Sequence, residues 1–106
     1  MNRLEANTAA SLLAGMPDWS HDRQRDAITR EFEFEDFIQA FSFMTQLAIH
    51  AEKHNHHPEW SNVWNKVAFD LVTHSVKGIS DLDFVLAEKI EEIFAAHAAS
   101  RATSGT

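Results

Sequence analysis

Cysteine is absent from the sequence, and this absence excludes disulfide scaffolds, thiolate zinc sites and cysteine nucleophiles. No apolar run approaches the roughly 20 residues that are needed to span a bilayer, and the first residues lack the long apolar stretch of a secretory signal. Basic residues are few, since nine Lys and Arg stand against 16 Asp and Glu. Nucleic acids and anionic membranes bind basic surfaces, so we expect a cytoplasmic protein that contacts neither.

The chain does have enough apolar material for one core. Of its 106 residues 44% are hydrophobic, including eight Phe and three Trp. A chain of this length buries roughly 60–70% of its unfolded surface, which suits a single domain. Because no Gly/Ser-rich or Pro-rich linker interrupts the sequence, we predict one domain over residues 1–99. The small and mostly polar residues 100–106 are predicted to form a disordered tail.

Three segments carry apolar residues at the three- and four-residue steps of an α-helix. The first segment ends around Gly15 to Pro17, and the second runs from about Asp36 to His54. The third starts at Ser80–Asp83, which resembles a capping box with Asp in place of Glu or Gln. The expected apolar stripe of the second helix consists of Phe37, Phe41, Met44, Ala48 and Ala51, and Ile38 and Leu47 widen it.

Period-two alternation predicts strands between these helices. One strand covers Ala27–Phe34, where Arg30 is a misfit on the apolar side, and an extended segment opens before it at Trp19. A second pair covers Trp60–Trp64 and Val67–His74, with Asn65-Lys66 as the turn. Short connections within each pair favour antiparallel pairing. The predicted fold is α+β, a four-stranded antiparallel sheet with three helices packed on one face.

Histidine is concentrated in one part of the chain, since five of the seven lie between His50 and His74. His56 and His57 fall in the predicted loop after the second helix, and His74 falls at the predicted end of a strand. Loops held by rigid elements often carry reactive groups. Imidazole both donates and accepts a proton near neutral pH. Several imidazoles around one pocket suit a reaction that needs an acid and a base on neighbouring atoms, such as the elimination of water.

Other interpretations of the same residues stay open at this level. The carboxylate of Asp83 can complete a helix cap, and Trp60 and Trp64 can belong to the core or an interface. A second hypothesis is a metal-binding protein, because imidazoles and carboxylates bind zinc and other divalent ions. Its candidate ligands are His50, Glu52, His54, His56 and His57.

Several stretches of the sequence resemble the pterin-4a-carbinolamine dehydratases. They are Arg25–Phe37, Ala40–Thr45, Glu52–Val67, the pair Thr73-His74, and Gly78–Asp83. The resemblance runs from about Trp19 to Ile93, and the family's four-stranded antiparallel sheet with helices on one face agrees with the predicted fold. The sequence departs from the family at Trp64, where Tyr is usual, and at Asn55, where some relatives have an acidic residue.

The resemblance implies a reaction and a set of site residues. The family dehydrates 4a-hydroxytetrahydrobiopterin, the pterin carbinolamine left after aromatic amino-acid hydroxylation, to the quinonoid dihydropterin. Its three motif histidines match His56, His57 and His74, and we expect two of them to act as acid and base while the third binds the pterin ring. Substrate contacts are assigned to Glu52, Pro58, Trp60 and Asp83.

The resemblance also implies partners. It requires no metal, nucleotide or redox cofactor, and it indicates a homodimer or homotetramer that serves a phenylalanine hydroxylase pathway. Some animal members of the family are also dimerisation partners of a transcription factor. An interaction module without important catalysis is therefore a further alternative hypothesis.

Overall fold

The computed structural model describes residues 2–104, with side chains described through His97. The order of elements is helix, two strands, helix, two strands and helix, as predicted. The elements are α1 Ala6–Ala14, β1 Ser20–Asp22, β2 Ala27–Glu33, α2 Phe37–Lys53, β3 Glu59–Val63, β4 Lys66–Leu71, a short 3-10 helix His74–Val76, and α3 Asp81–Ser104.

The predicted disordered tail, residues 100–106, overlaps the end of this description. Helix α3 includes residues 100–104, whereas residues 105 and 106 lie outside the described residues. The single domain over residues 1–99 and the disorder of the tail both stay predictions. Within the described part of the chain, no helix combines the length and apolar character needed to cross a membrane.

The four strands form one sheet in the order β1-β2-β4-β3, and each neighbouring pair is antiparallel. The predicted α+β class and four-stranded antiparallel sheet are confirmed. Ile28 pairs with Leu71 and Phe32 pairs with Val67, so these apolar side chains share one face. They join side chains of α2 and α3 in a single buried cluster. That all three helices lie on this face stays a prediction.

Arg30, the misfit of β2, is explained by its surroundings. Its guanidinium lies 4.0 Å from the centroid of the Phe32 ring, a favourable cation–π distance. Its Nε atom donates to Glu91 Oε2 at 2.9 Å, and the indole Nε1 of Trp19 donates to the same oxygen at 2.9 Å. The charge of Arg30 is therefore paired, and its contact with Glu91 joins β2 to α3.

Helix α2 begins where the sequence predicts, but it buries a partly different stripe. Asp36 caps it by accepting a hydrogen bond from the Gln39 backbone N–H at 2.9 Å. The predicted stripe is wrong at Phe37 and Phe41, which are 47% and 53% exposed, whereas its members Leu47 and Ala51 are buried. Apolar residues surround most of this helix, so periodicity alone offered more than one stripe. The residues that it buries are Ala40, Phe43, Leu47 and Ala51.

Two further predictions about the second strand pair are wrong. The hairpin turn consists of Trp64 and Asn65, one residue earlier than predicted, because Trp64 adopts a left-handed φ of 53°. The Asn65 amide then donates to the Phe34 carbonyl at 2.9 Å and joins the turn to the end of β2.

His74 does not end a strand: β4 stops at Leu71, and the Thr73 N–H bonds to the Gly78 carbonyl at 2.9 Å. This bond closes a loop that contains His74.

Candidate active site

Three of the predicted site residues, His56, His57 and His74, line one cavity of about 380 Å³. We call it the histidine cavity. Its volume falls in the range of pockets that hold small molecules. It lies between the loop after α2, the start of β3 and the 3-10 helix. The residues that line it are Asn55, His56, His57, Pro58, Glu59, Val72, Thr73, His74, Ser75 and Leu82.

The end of α2 directs the two adjacent histidines toward this cavity. Asn55 adopts a left-handed φ of 50°, which Asn tolerates better than most residues. The Asn55 N–H donates to the Glu52 carbonyl and the His56 N–H donates to the Ala51 carbonyl, both at 3.2 Å. These bonds form a Schellman motif, which ends the helix and turns the chain. The departure from the family at Asn55 thus has a structural role, since it makes the turn that sets where His56 begins.

His56 is held by a buried carboxylate. Its Nε2 atom lies 2.8 Å from Asp83 Oδ1, and the Asp83 side chain is completely buried. The other oxygen, Oδ2, accepts from the Ser80 backbone N–H at 2.9 Å and from the Thr73 hydroxyl at 2.8 Å. The helix-cap interpretation of Asp83 is therefore confirmed, whereas its predicted contact with the substrate stays a prediction. Asp83 reaches back to the start of α3 as the capping box predicts, and it also contacts a histidine of the cavity.

His57 has a more exposed partner. Its Nε2 atom lies 2.9 Å from Glu52 Oε1, but the two side chains are 56% and 83% exposed. Ion pairs in such exposed positions contribute little stability. This contact orients the ring of His57 without fixing it as firmly as Asp83 fixes His56.

His74 belongs to a longer chain of contacts. Its Nε2 atom lies 2.7 Å from Glu59 Oε2, and Arg25 Nη2 donates to Glu59 Oε1 at 2.6 Å. Hydrogen bonds from His74 and then from Arg25 hold the pKa of the Glu59 carboxyl below its ordinary value. Glu59 and Arg25 were not among the predicted site residues. Both lie in stretches that resemble the family, but their 34-residue separation gives no local signal of pairing.

In each of the three histidines of this cavity, the Nε2 atom therefore lies within hydrogen-bonding distance of a carboxylate. A carboxylate accepts hydrogen bonds, so this arrangement favours a hydrogen on Nε2 and leaves the lone pair of the neutral ring on Nδ1. Such a carboxylate partner fixes both the tautomer and the orientation of a histidine. Three imidazoles of this kind around one cavity can supply an acid, a base and a hydrogen bond to the same small molecule.

The residues predicted to contact the substrate differ in how close they lie to the histidine cavity. Pro58 lines the histidine cavity, whereas Glu52 and Asp83 reach it through the histidines they contact. Trp60 packs toward the core, with its ring centroid 5.7 Å from that of Phe69. It is not among the described residues that line the cavity. The catalytic and binding roles of these residues stay predictions.

The metal-site hypothesis receives no support from the arrangement of its ligands. Among residues 2–104, no group of three or more His, Asp or Glu side chains is placed to hold a metal ion. His50 and His54 instead stack with ring centroids 4.3 Å apart. Burial, followed by the neighbouring His54, lowers the pKa of His50. With His56 these rings border a separate small cavity of about 100 Å³ beside α3.

Other cavities are similar in size to the histidine cavity. One of about 290 Å³ lies beside Trp19 and Glu91, one of about 300 Å³ lies beside Ser20 and Thr29, and one of about 450 Å³ lies beside Arg3 and His21. Volume alone does not select among them. The convergence of three imidazole rings, each beside a carboxylate, makes the histidine cavity the candidate active site.

Comparisons with known proteins identify the family of the chain. The family model described as "Pterin 4 alpha carbinolamine dehydratase" matches residues 2–93. A "Putative pterin-4-alpha-carbinolamine dehydratase" of Rhizorhabdus wittichii is 55% identical over 84 residues, which are 79% of this chain and 87% of that protein. A relative of the same name in Rhizobium leguminosarum bv. trifolii is 45% identical over 92 residues, or 87% of this chain and 91% of the relative.

A solved structure is also similar. The crystal structure of a "transcriptional coactivator/pterin dehydratase" from Brucella melitensis has a TM-score of 0.84 and 44% sequence identity. The match covers 87% of this chain and 98% of that one.

Proposed function

Because the chain belongs to the pterin 4 alpha carbinolamine dehydratase family, we propose that it removes water from 4a-hydroxytetrahydrobiopterin and releases the quinonoid dihydropterin. The observation that carries the proposal is the position of His56, His57 and His74 around one cavity. A flat bicyclic substrate needs a pocket of a few hundred Å³, and the histidine cavity has that size.

The reaction requires one proton to be given and one to be taken. The bond between the hydroxyl oxygen and the saturated ring carbon breaks, pushed by the lone pair of the adjacent ring nitrogen. An imidazolium protonates the departing hydroxyl, and a neutral imidazole or carboxylate takes the proton from the nitrogen. The products are water and the quinonoid dihydropterin, and the total charge of the protein is unchanged. The pterin supplies the electrons, so the proposed step uses no metal, nucleotide or redox cofactor.

We assign these roles to the three histidines as a group. Two of His56, His57 and His74 act as acid and base, and the third hydrogen-bonds the pterin ring. A positioned acid–base group typically contributes about 10²- to 10⁴-fold in rate. The carboxylate contacts of Asp83, Glu52 and Glu59 support these roles because they orient each ring.

The biological setting is the finer part of the proposal. The reaction would recycle the pterin cofactor of aromatic amino-acid hydroxylation, in a phenylalanine hydroxylase pathway of the cytoplasm. We also expect a homodimer or homotetramer. Exposed apolar side chains on α2 support self-association, since Phe37, Ile38 and Phe41 are 47%, 73% and 53% exposed and surfaces of this kind often mark interfaces.

A stopped assay with the purified protein tests the activity. The 4a-hydroxytetrahydropterin is generated in place, and its breakdown is followed with and without the protein. We expect the protein to accelerate the loss of water well above the spontaneous rate. A breakdown rate unchanged by the protein would overturn the proposal, and an intact oligomer without turnover would favour the interaction-module hypothesis.

A further inference from the structure

Of the three histidines of the cavity, His74 depends most on a partner side chain to hold its ring in place. Its side chain is 75% exposed, whereas that of His56 is 13% exposed. It lies in a 3-10 helix of three residues, His74–Val76, which gives its ring little surrounding structure. The hydrogen bond of 2.7 Å between its Nε2 atom and Glu59 Oε2 is therefore important for the orientation of the ring.

Glu59 is itself held from the other side. Arg25, in the turn between β1 and β2, donates to Glu59 Oε1 at 2.6 Å and lies 3.3 Å from Asp70 Oδ2. Glu59 and Asp70 are direct partners in the β3–β4 ladder, and like charges in such a pair repel. Arg25 bridges the two carboxylates, so it offsets part of this repulsion and holds Glu59 in the position that reaches His74.

The direction of these hydrogen bonds determines where the proton of His74 lies. A guanidinium only donates and a carboxylate only accepts. With both Glu59 oxygens accepting, the neutral ring of His74 must carry its hydrogen on Nε2. The lone pair is then on Nδ1, which is the atom free to take a proton.

We propose that Glu59 and Arg25 are positioning residues that set the tautomer and orientation of His74, so that its Nδ1 atom receives a proton from the substrate or water in the cavity. This inference rests on the proposed function for its catalytic consequence, but its structural content can be tested without turnover. Partners of this type orient reactive histidines, and their loss typically lowers activity about 10- to 100-fold.

The variant Glu59→Gln makes a specific prediction because Arg25 stays in place. Arg25 can only donate, so it must face the amide oxygen, and the amide NH₂ group must face His74. The Nε2 atom of His74 then has to accept, which moves the hydrogen to Nδ1. In the double variant with Arg25→Met, the amide oxygen no longer has to face a guanidinium. The amide can then rotate and present its oxygen to His74 again.

Two measurements test this reversal on the full chain. Steady-state kinetics of Glu59→Gln should show kcat lowered about 10- to 100-fold with KM little changed, because the cavity walls remain. The ¹⁵N resonances of the His74 ring at alkaline pH should show the Nε2–H form in the parent protein and the Nδ1–H form in Glu59→Gln. The double variant Arg25→Met with Glu59→Gln should recover the Nε2–H form and part of the lost kcat.

The matched control is Glu31→Gln, which removes an exposed carboxylate from β2 outside the histidine cavity. It should change neither kcat nor the His74 resonances. Unchanged kcat in Glu59→Gln would overturn the inference, and so would a lowered kcat without a change of tautomer. If the parent protein has no dehydratase activity, the proposed function fails, whereas the ¹⁵N comparison still supports or overturns the setting of His74 by Glu59 and Arg25.

Discussion

The Nε2 atom of His56 lies 2.8 Å from Asp83 Oδ1, and the same carboxylate closes the first turn of α3. One buried side chain thus serves a helix and a candidate catalytic ring. Thr73, which precedes His74, donates to the other oxygen of Asp83. Asp83 therefore connects the loops that carry two of the three histidines.

Substitution of Asp83 should separate its two roles. Asp83→Ala leaves the Ser80 N–H and the Thr73 hydroxyl without their buried acceptor, so we expect the free energy of unfolding to fall by about 2–4 kcal/mol. Asp83→Asn keeps an oxygen for the Ser80 N–H but presents an NH₂ group to His56. We expect it to lose about 1 kcal/mol of stability while dehydration slows at least as much as in Asp83→Ala. Urea unfolding and the dehydration assay measure both effects.

The control for this pair is Asp81→Asn, an exposed carboxylate in the same first turn. It should cost under about 1 kcal/mol, through the helix dipole alone, and leave turnover unchanged. An Asp83→Asn variant as active as the parent protein would contradict a role for this carboxylate in orienting His56.

Features that depend on neighbouring residues were predictable from the sequence. The Ser80–Asp83 box relies on a side chain that reaches a backbone group three positions away, and it is present. The location of His56, His57 and Pro58 in the loop after α2 was predictable for the same reason, because it depends on where the helix ends. Its meeting with His74 was expected from the family resemblance rather than from spacing.

Features that depend on tertiary contacts were not predictable. The buried stripe of α2 is decided by which side meets Phe32 and Phe69, and the apolar residues around the helix left that choice open. The turn at Trp64 requires a bulky residue in a left-handed conformation, which local preference disfavours. The contact of Arg25 with Glu59 joins residues on different strand pairs, so no short-range pattern indicates it.

A side chain at Gly78 should cost some stability. A Cβ atom at this position would overlap Asp26 Oδ2 and lie 2.5 Å from Arg3 Nε, so it would displace the Arg3–Asp26 ion pair. Because these atoms are the ends of side chains that can shift, we expect Gly78→Ala to lower the free energy of unfolding by about 1 kcal/mol. At Gly15 a Cβ atom would meet the Leu12 carbonyl oxygen at an ordinary 3.6 Å. Gly15→Ala should therefore be neutral or stabilise the protein by about 0.4–1 kcal/mol. Thermal unfolding of both variants measures the difference, and equal effects of Gly78→Ala and Gly15→Ala would refute this explanation.

Asp26 should make stability depend on acid pH. Burial raises its pKa, but hydrogen bonds from His21 and Arg3 outweigh burial, so the net pKa lies below the ordinary value. A carboxyl whose pKa is lower in the folded state stabilises the fold above its unfolded pKa of about 3.9. This contribution is lost as the pH falls through the folded pKa.

The test is Asp26→Asn, because Asn also tolerates the left-handed φ of 49° at this position. Asp26→Asn should be less stable than the parent at neutral pH, and the difference should shrink as the pH is lowered below about 4. Chemical unfolding at several pH values measures the difference. A gap that stays constant down to strongly acid pH would show that the His21 and Arg3 contacts do not lower the pKa of Asp26.

Self-association through α2 is tested by Phe41→Glu. Phe41 is 53% exposed, so the change should not disturb the core, but a charge in an apolar interface is costly to bury. We expect the variant to shift toward monomer in sedimentation analysis, while the control Gln46→Glu, exposed on the same helix, keeps the parent's assembly. A parent protein that is monomeric at all concentrations would contradict the expected homo-oligomer.

Single alanine substitutions of His56, His57 and His74 test the shared acid and base roles. The two rings that transfer protons should each lower kcat by about 10² or more, whereas the ring that only binds pterin should mainly raise KM. His54→Ala is the control, since this exposed histidine ends α2 outside the histidine cavity, and it should retain the parent's kinetics. Because His57 and His74 are exposed, their loss should scarcely change stability, so lost turnover at these positions would report on chemistry rather than folding. Near-parental kinetics in all three alanine variants would mean that the cavity does not exchange protons through these rings.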